Sequence, residues 1–255
     1  MKNRIGEIQY NNFGSKMKII DYKKNNDINV YFEEYDWIKY NVAYKEFKNG
    51  NIKCPYEPRV CGVGYIGEGK YKSRINGKKT KCYQTWRDML RRCYDEKAFK
   101  KRPTYKDCIV YEEWLNFQNF AEWFEENYYE IEGEVMYLDK DILVKNNKVY
   151  SPQTCVFVSN RINVLFTKSE KARGEYPIGV TYYKKYDKFL SSCNVIINNK
   201  KYSKNLGYYY SIDEAFQVYK KFKENYIKQV ADENKNKIPN KLYKAMYEWE
   251  VDIDD

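Results

Sequence analysis

Within the segment YLDKDILVKNNKVYSPQTCVFVSNRIN, Tyr137 to Asn163, an acid and an amide are of the type and spacing that could seat a hard cation. Asp139 closes a short apolar strand, and Asn163 stands one turn into a helix that Ser159 is well suited to cap. Both side chains offer oxygen, and oxygen ligands with water in the remaining positions suit Mg2+. A cation of this kind turns water into a nucleophile only with a base nearby, and the usual base at neutral pH is imidazole. The chain has no histidine. Lys140 could serve if burial lowered its pKa, Tyr150 or Tyr137 could serve as phenolate, and Asp141 could orient or deprotonate water.

Positioning these groups requires a hairpin feeding a helix. The pattern predicts a strand over Val135 to Leu138, a polar turn at Lys145 to Lys148, a bend at Tyr150-Ser151-Pro152, a second strand over Cys155 to Val158 and a helix over Asn160 to Phe166. Upstream, CYQTWRDMLRRCY places Trp86, Met89, Leu90 and Cys93 at helical spacing, with Arg87, Arg91 and Arg92 turned outward. A second helix is expected over Leu115 to Asn127, its Phe117, Phe120, Ala121 and Phe124 inward and its acids outward.

The stretch Lys70 to Arg102 carries thirteen basic residues against three acidic ones, and its surplus alone equals the chain's formal net charge of +10. Tyrosines lie among these cations, the mixture expected of a surface that pairs with phosphates and packs on sugars or bases. Lys78, Lys79, Lys81, Arg87, Arg91 and Arg92 are the predicted contacts here. Just before them, CGVGYIGEGKYK has four glycines, which gives a backbone able either to approach a phosphate chain or to act as a flexible connector. The first seventy residues read as β-rich, with strands at Met17 to Tyr22, Asn29 to Phe32 and Val42 to Phe47 and a tight-turn dipeptide at Asn49-Gly50.

Beyond the hairpin–helix segment, Ile178 to Tyr183, Lys188 to Ile197 and Lys201 to Leu206 read as three antiparallel strands, with Asn198-Asn199 at the second turn. Ser211 then caps a long helix with Ala215, Phe216, Tyr219 and Phe222 on its buried stripe. The closing residues predict a short helix over Lys241 to Glu250 and an acidic, mobile end.

Seven cysteines, an odd number, argue against a disulfide scaffold. Cys93, Cys108 and Cys155 could meet a fourth group on zinc or could be small core residues. No apolar run approaches the ~20 residues a membrane span needs, and the first ten residues lack a secretory core, so a cytoplasmic, membrane-free protein is expected.

The run from Trp86 to Tyr94, the segment YKDCIVYEEWLNFQNFAEW, the Leu138-Asp139-Lys140 step and the closing YSPQTCVFVSNRIN together resemble phage and mobile-element HNH-type endonucleases of the His-Me finger class, over about Tyr83 to Phe166. The resemblance implies a ββα-metal finger that hydrolyses phosphodiester bonds with one divalent metal held by Asp139 and Asn163. It sets Lys140 where the general-base histidine stands. Arg161 is a further expected nucleic-acid contact. Residues Tyr176 to Ala231 resemble the APETALA-type DNA-binding domain, through Ile178-Gly179-Val180, Leu206-Gly207 and Asp213-Glu214-Ala215. That resemblance implies a sheet laid on double-stranded DNA, with Tyr182, Lys184, Lys185, Lys188, Lys200 and Lys201 as contacts.

The expected architecture is therefore α+β. It comprises a β-rich module at 1–70, an HNH-like core with flanking helices at 71–168, a three-strand-plus-helix reader at 173–232 and a tail at 233–255. Metal-dependent endonuclease activity is the expected function. The alternative is an inactive finger serving as a DNA- or host-protein-binding regulator or anti-defence factor.

Overall fold

The computed structural model describes residues 4–101, 103–167, 175–197 and 200–253. The anticipated Asn198-Asn199 turn, and most of the basic linker from Thr167 to Arg173, lie outside them. The chain is α+β and divides into two compact units, Met1–Glu126 with Lys148–Pro152, and Asn127–Asn147 with Gln153–Asp255. Among the described residues no helix is long and apolar enough to cross a membrane.

The first unit opens with β1 (Ile8–Tyr10), β2 (Lys16–Lys24), β3 (Asp27–Phe32) and β4 (Trp37–Val42), an antiparallel meander in that order. Alternate residues turn inward, so that Met17, Ile19, Ile28, Val30 and Phe32 form its core. The expected strand at Val42 to Phe47 is instead the end of β4 followed by helix α1 (Tyr44–Lys48), which buries Phe47 against the sheet. Asn49-Gly50 makes no hairpin turn. It ends α1, with Gly50 at φ +68° in the left-handed conformation common just past a helix.

Next come a two-stranded hairpin, β5 (Arg74–Ile75) and β6 (Lys78–Lys79), then α2 (Lys81–Tyr94), α3 (Glu96–Lys101), β7 (Ile109–Val110) and α4 (Phe117–Asn127). Thr80 caps α2 by accepting from Tyr83 N at 3.2 Å, and Trp86, Met89, Leu90 and Cys93 are its buried stripe. The Trp86 indole donates to Trp114 O at 2.7 Å. The glycine-rich segment packs on these helices, because a Cβ at Gly64 would strike Leu90 and Trp86, at Gly67 Asn116, and at Gly69 Gln118. It is neither a free connector nor an open phosphate loop.

Two further strands, β8 (Met136–Asp139) and β9 (Val149–Tyr150), belong to different units. β9 pairs in parallel with β7 in the first, while β8 pairs antiparallel with β10 (Val156–Ser159) in the second. Ser159 caps α5 (Asn160–Phe166) by accepting from Ile162 N at 3.4 Å, and α5 packs back on both strands of the hairpin. Then β11 (Val180–Tyr183), β12 (Lys188–Ile197) and β13 (Lys200–Tyr209) form an antiparallel sheet in that order. Helix α6 (Ile212–Asn234) is capped by Ser211, which accepts from Glu214 N at 3.1 Å, and α7 (Asn240–Tyr247) follows.

Helix α6 is about 34 Å long and serves two cores. Its Ala215, Phe216 and Tyr219 pack with Val180, Cys193 and Val251, while its Tyr226, Ile227, Val230 and Ala231 pack with Ile142, Val156, Val158, Ile162 and Leu165 of the finger and with Leu242 and Met246 of α7. The boundaries expected at 168, 173 and 232 therefore cut through continuous apolar cores. Residues Trp249 to Asp252 are anchored too: Trp249 packs on Phe166 at 4.6 Å, and Lys145 Nζ donates to Glu250 O at 2.8 Å.

Candidate functional site

Asp139 is the last residue of β8, opposite Val156 of β10. Its Oδ1 accepts from the backbone N–H groups of Asp141 and Ile142, both at 2.9 Å, which turns the chain sharply out of the strand. Oδ2 has no hydrogen-bond partner among the described residues. Burial, then the charge of Asp141, pushes the carboxyl up to about 6, against the pull of the two amides and Lys140. One oxygen is held rigid and the other is open, in a place where the negative charge is costly. A divalent cation would relieve that cost. Asp139 therefore fits a hard cation. Asn163 is partly exposed on α5, which packs on β8 and β10.

Lys140 is 7 % exposed. Its Nζ donates to Asp141 Oδ2 and to Asn147 O, each at 2.9 Å, and the Asn147 amide donates back to Lys140 O at 2.7 Å. These reciprocal bonds close the loop between the hairpin strands. A base must offer a lone pair, and this ammonium spends its protons on the fold, so Lys140 takes a structural part in place of the proposed one. Tyr150 is also unsuitable. It is 1 % exposed, its hydroxyl accepts from Arg92 Nη1 at 3.4 Å, and burial raises its pKa well above that of a free phenol. Two oxygen groups remain near Asp139: Asp141, half-exposed and paired with Lys140, and Tyr137, which strand alternation puts on the same face as Asp139 and which is 38 % exposed.

No three of the Cys, Asp and Glu side chains converge on a metal position among the described residues. Cys93, Cys108 and Cys155 are buried, and none of them forms a disulfide.

The basic residues differ in availability. Lys78 and Lys79 lie on a hairpin whose turn, Asn76-Gly77, has φ of +49° and +75°, and Lys81 begins α2. Sequence reasoning passed over this hairpin, although Asn-Gly is its strongest short-range signal. Arg87 pairs with Asp88 at 2.9 Å and Arg91 with Asp95 at 3.4 Å. Arg92 turns inward to Tyr150 and the ring of Tyr105, and Arg161 is paired with Glu233 of α6. Neither of these last two is the free phosphate contact expected of it.

In the second unit α6 covers one face of the sheet. Register puts Tyr182 opposite Phe189, a core residue, so Tyr182 belongs to the covered side; its ring packs on Phe189 at 5.5 Å and its hydroxyl donates to Asp187. Lys200 falls on that side by the same alternation. The uncovered face carries Tyr183, Lys188, Leu190, Asn194, Lys201 and Tyr208, with Lys184, Lys185 and Tyr186 in the exposed β11–β12 turn. Among the described residues no carboxylate pairs with Lys184, Lys185, Lys188 or Lys201. Tyr183, Tyr186 and Tyr208 were missed because Tyr208 stands on a different strand, far in sequence from the other two; only the register brings it to them.

Comparison with family models, with curated proteins and with solved structures returns no match.

Proposed function

We propose that this chain is a DNA-binding protein built on a nuclease-type hairpin–helix finger. What carries the reading is the uncovered face of the three-stranded sheet and its β11–β12 turn, where four lysines that have no carboxylate partner among the described residues stand among tyrosines. Such a surface exchanges condensed counterions for ammonium groups when it meets a polyanion, and the Lys78–Lys81 hairpin offers the same chemistry in the first unit. Double-stranded DNA should bind with an affinity that falls steeply with salt. Replacing Lys184, Lys185, Lys188 and Lys201 together by alanine should flatten the slope of log K against log salt by about 3 to 4. An unchanged slope would remove the sheet from the interface.

A second reading, metal-dependent phosphodiester hydrolysis, is favoured by Asp139 alone. With Mg2+ held by Asp139 and Asn163, the cation would polarise a scissile phosphate, and Asp141 or Tyr137 would be left to handle the proton of water. Magnesium-dependent relaxation of supercoiled plasmid, lost in Asp139→Ala, supports this reading. Intact plasmid under conditions where DNA is bound leaves the finger a scaffold.

A further inference from the structure

The end of the uncovered sheet face carries a cluster of tyrosine rings. Tyr183 and Tyr208 lie 5.3 Å apart, and Tyr186 lies 5.2 Å from the first and 5.0 Å from the second, the three rings mutually tilted. Tyr186 is 49 % and Tyr210 79 % exposed, with Lys188 Nζ 4.2 Å over the Tyr210 ring. From Glu175 to Tyr210 there is no arginine, the side chain that reads guanine in the major groove through two parallel bonds. Asn205 is spent on its own strand, accepting from Gly207 N at 2.8 Å and donating to Tyr208 Oη at 3.4 Å. The face thus has few groups to read paired base edges. It has aromatic surface that a duplex, with its base faces already stacked, cannot use.

We propose that this end of the sheet binds single-stranded DNA, stacking unpaired bases on Tyr186 and Tyr210 while Lys184, Lys185, Lys188 and Lys201 follow the phosphates. The proposal rests on the DNA-binding reading above and narrows its substrate. Tyr183 and Tyr208 buttress Tyr186 from behind, so the platform is set before the strand arrives. A stacked base is sequence-tolerant because every base has a face.

The test uses the full chain and a labelled oligothymidine of about 20 nucleotides, the matching duplex and the matching oligouridine, compared by anisotropy at one ionic strength. The single strand is expected to bind at least about tenfold tighter than the duplex. Tyr186→Ala and Tyr210→Ala, both at exposed positions that leave the fold intact by circular dichroism, are each expected to cost the single strand about fivefold or more and the duplex nothing. Tyr186→Trp should restore binding. Duplex bound as tightly as single strand, alanine variants that bind the single strand as the wild type does, or a preference for oligouridine would overturn this proposal while leaving nucleic-acid binding standing. Failure to bind any of the three probes would sink both.

Discussion

Lys140→Met separates a structural lysine from a catalytic one, because methionine keeps the apolar stem and removes only the ammonium. Two bonds are lost. The bond to Asp141, whose side chain is 45 % exposed, is worth what a surface pair is worth, about 0 to 1 kcal/mol. The bond to Asn147 O leaves a carbonyl without its donor beside a residue that is 7 % exposed, at a cost of about 1 to 3 kcal/mol. Together they give about 1 to 4 kcal/mol, and since about 1.4 kcal/mol is tenfold in an opening equilibrium, the loop should open roughly 5- to 700-fold more often. Hydrogen exchange of the peptide spanning residues 139–148, read by mass spectrometry, measures this directly. Asn147→Ala should reproduce part of the effect, by losing the return bond to Lys140 O. Wild-type exchange in Lys140→Met, accompanied by loss of a plasmid-nicking activity, would refute the structural assignment and return Lys140 to the chemistry.

The Asp139 carboxyl, raised to about 6 from an ordinary value near 3.8, makes a prediction with a definite sign. Between these limits the folded chain holds a proton that the unfolded chain has released, so this group's contribution to stability falls as pH climbs from about 4 to about 6. Asp139→Asn keeps an oxygen for the two amides and carries no charge; it should flatten that fall, raise the melting temperature at pH 7 and abolish any rise on adding Mg2+. Melting curves of variant and wild type that run parallel from acid to neutral pH would contradict it. In the same unit, Trp249→Ala removes the ring packed on Phe166 at 4.6 Å and should cost about 2 to 3 kcal/mol in urea denaturation. A loss below about 0.5 kcal/mol would mean the segment after α7 is not part of the core.

Local signals in the sequence were reliable where one turn of chain decides the outcome. Ser159 and Ser211 cap the helices they were expected to cap, and the Trp86, Met89, Leu90 and Cys93 stripe is buried as its spacing requires. Asn49-Gly50 misled because the left-handed glycine that closes a hairpin equally ends a helix, and Phe47 gained more by burial under the sheet than an extended segment would give it. The glycines from Gly62 to Gly69 signalled conformational freedom, yet at Gly64, Gly67 and Gly69 the missing side chain is needed for close packing on Trp86, Asn116 and Gln118. Arg92 illustrates the limit for charge. A helical wheel sets it outward, but the pairing of β7 with β9 brings Tyr150 to its guanidinium. Lys140 illustrates the limit for chemistry, since its partner Asn147 lies seven residues away across a loop whose path no pattern specifies.

The second unit explains how the hairpin–helix segment keeps its shape. Val156, Val158, Ile162 and Leu165 of the hairpin and α5 share one core with Ile227, Val230 and Ala231 of α6, and the other end of α6 holds the three-stranded sheet through Phe216 and Tyr219. Substitutions that unfold the finger would strip apolar cover from the helix that supports the sheet, so the two stand or fall together as a packing unit. Lys140 stands outside that shared core and holds only the local loop, through its bonds to Asp141 and Asn147 O. Stability thus constrains the hairpin and α5 through the grip on DNA proposed for the sheet, and leaves hydrolysis free to be present or absent. Core truncations in the finger, such as Ile162→Ala, should therefore weaken DNA binding by the sheet, whereas Asp139→Asn should leave that binding unchanged.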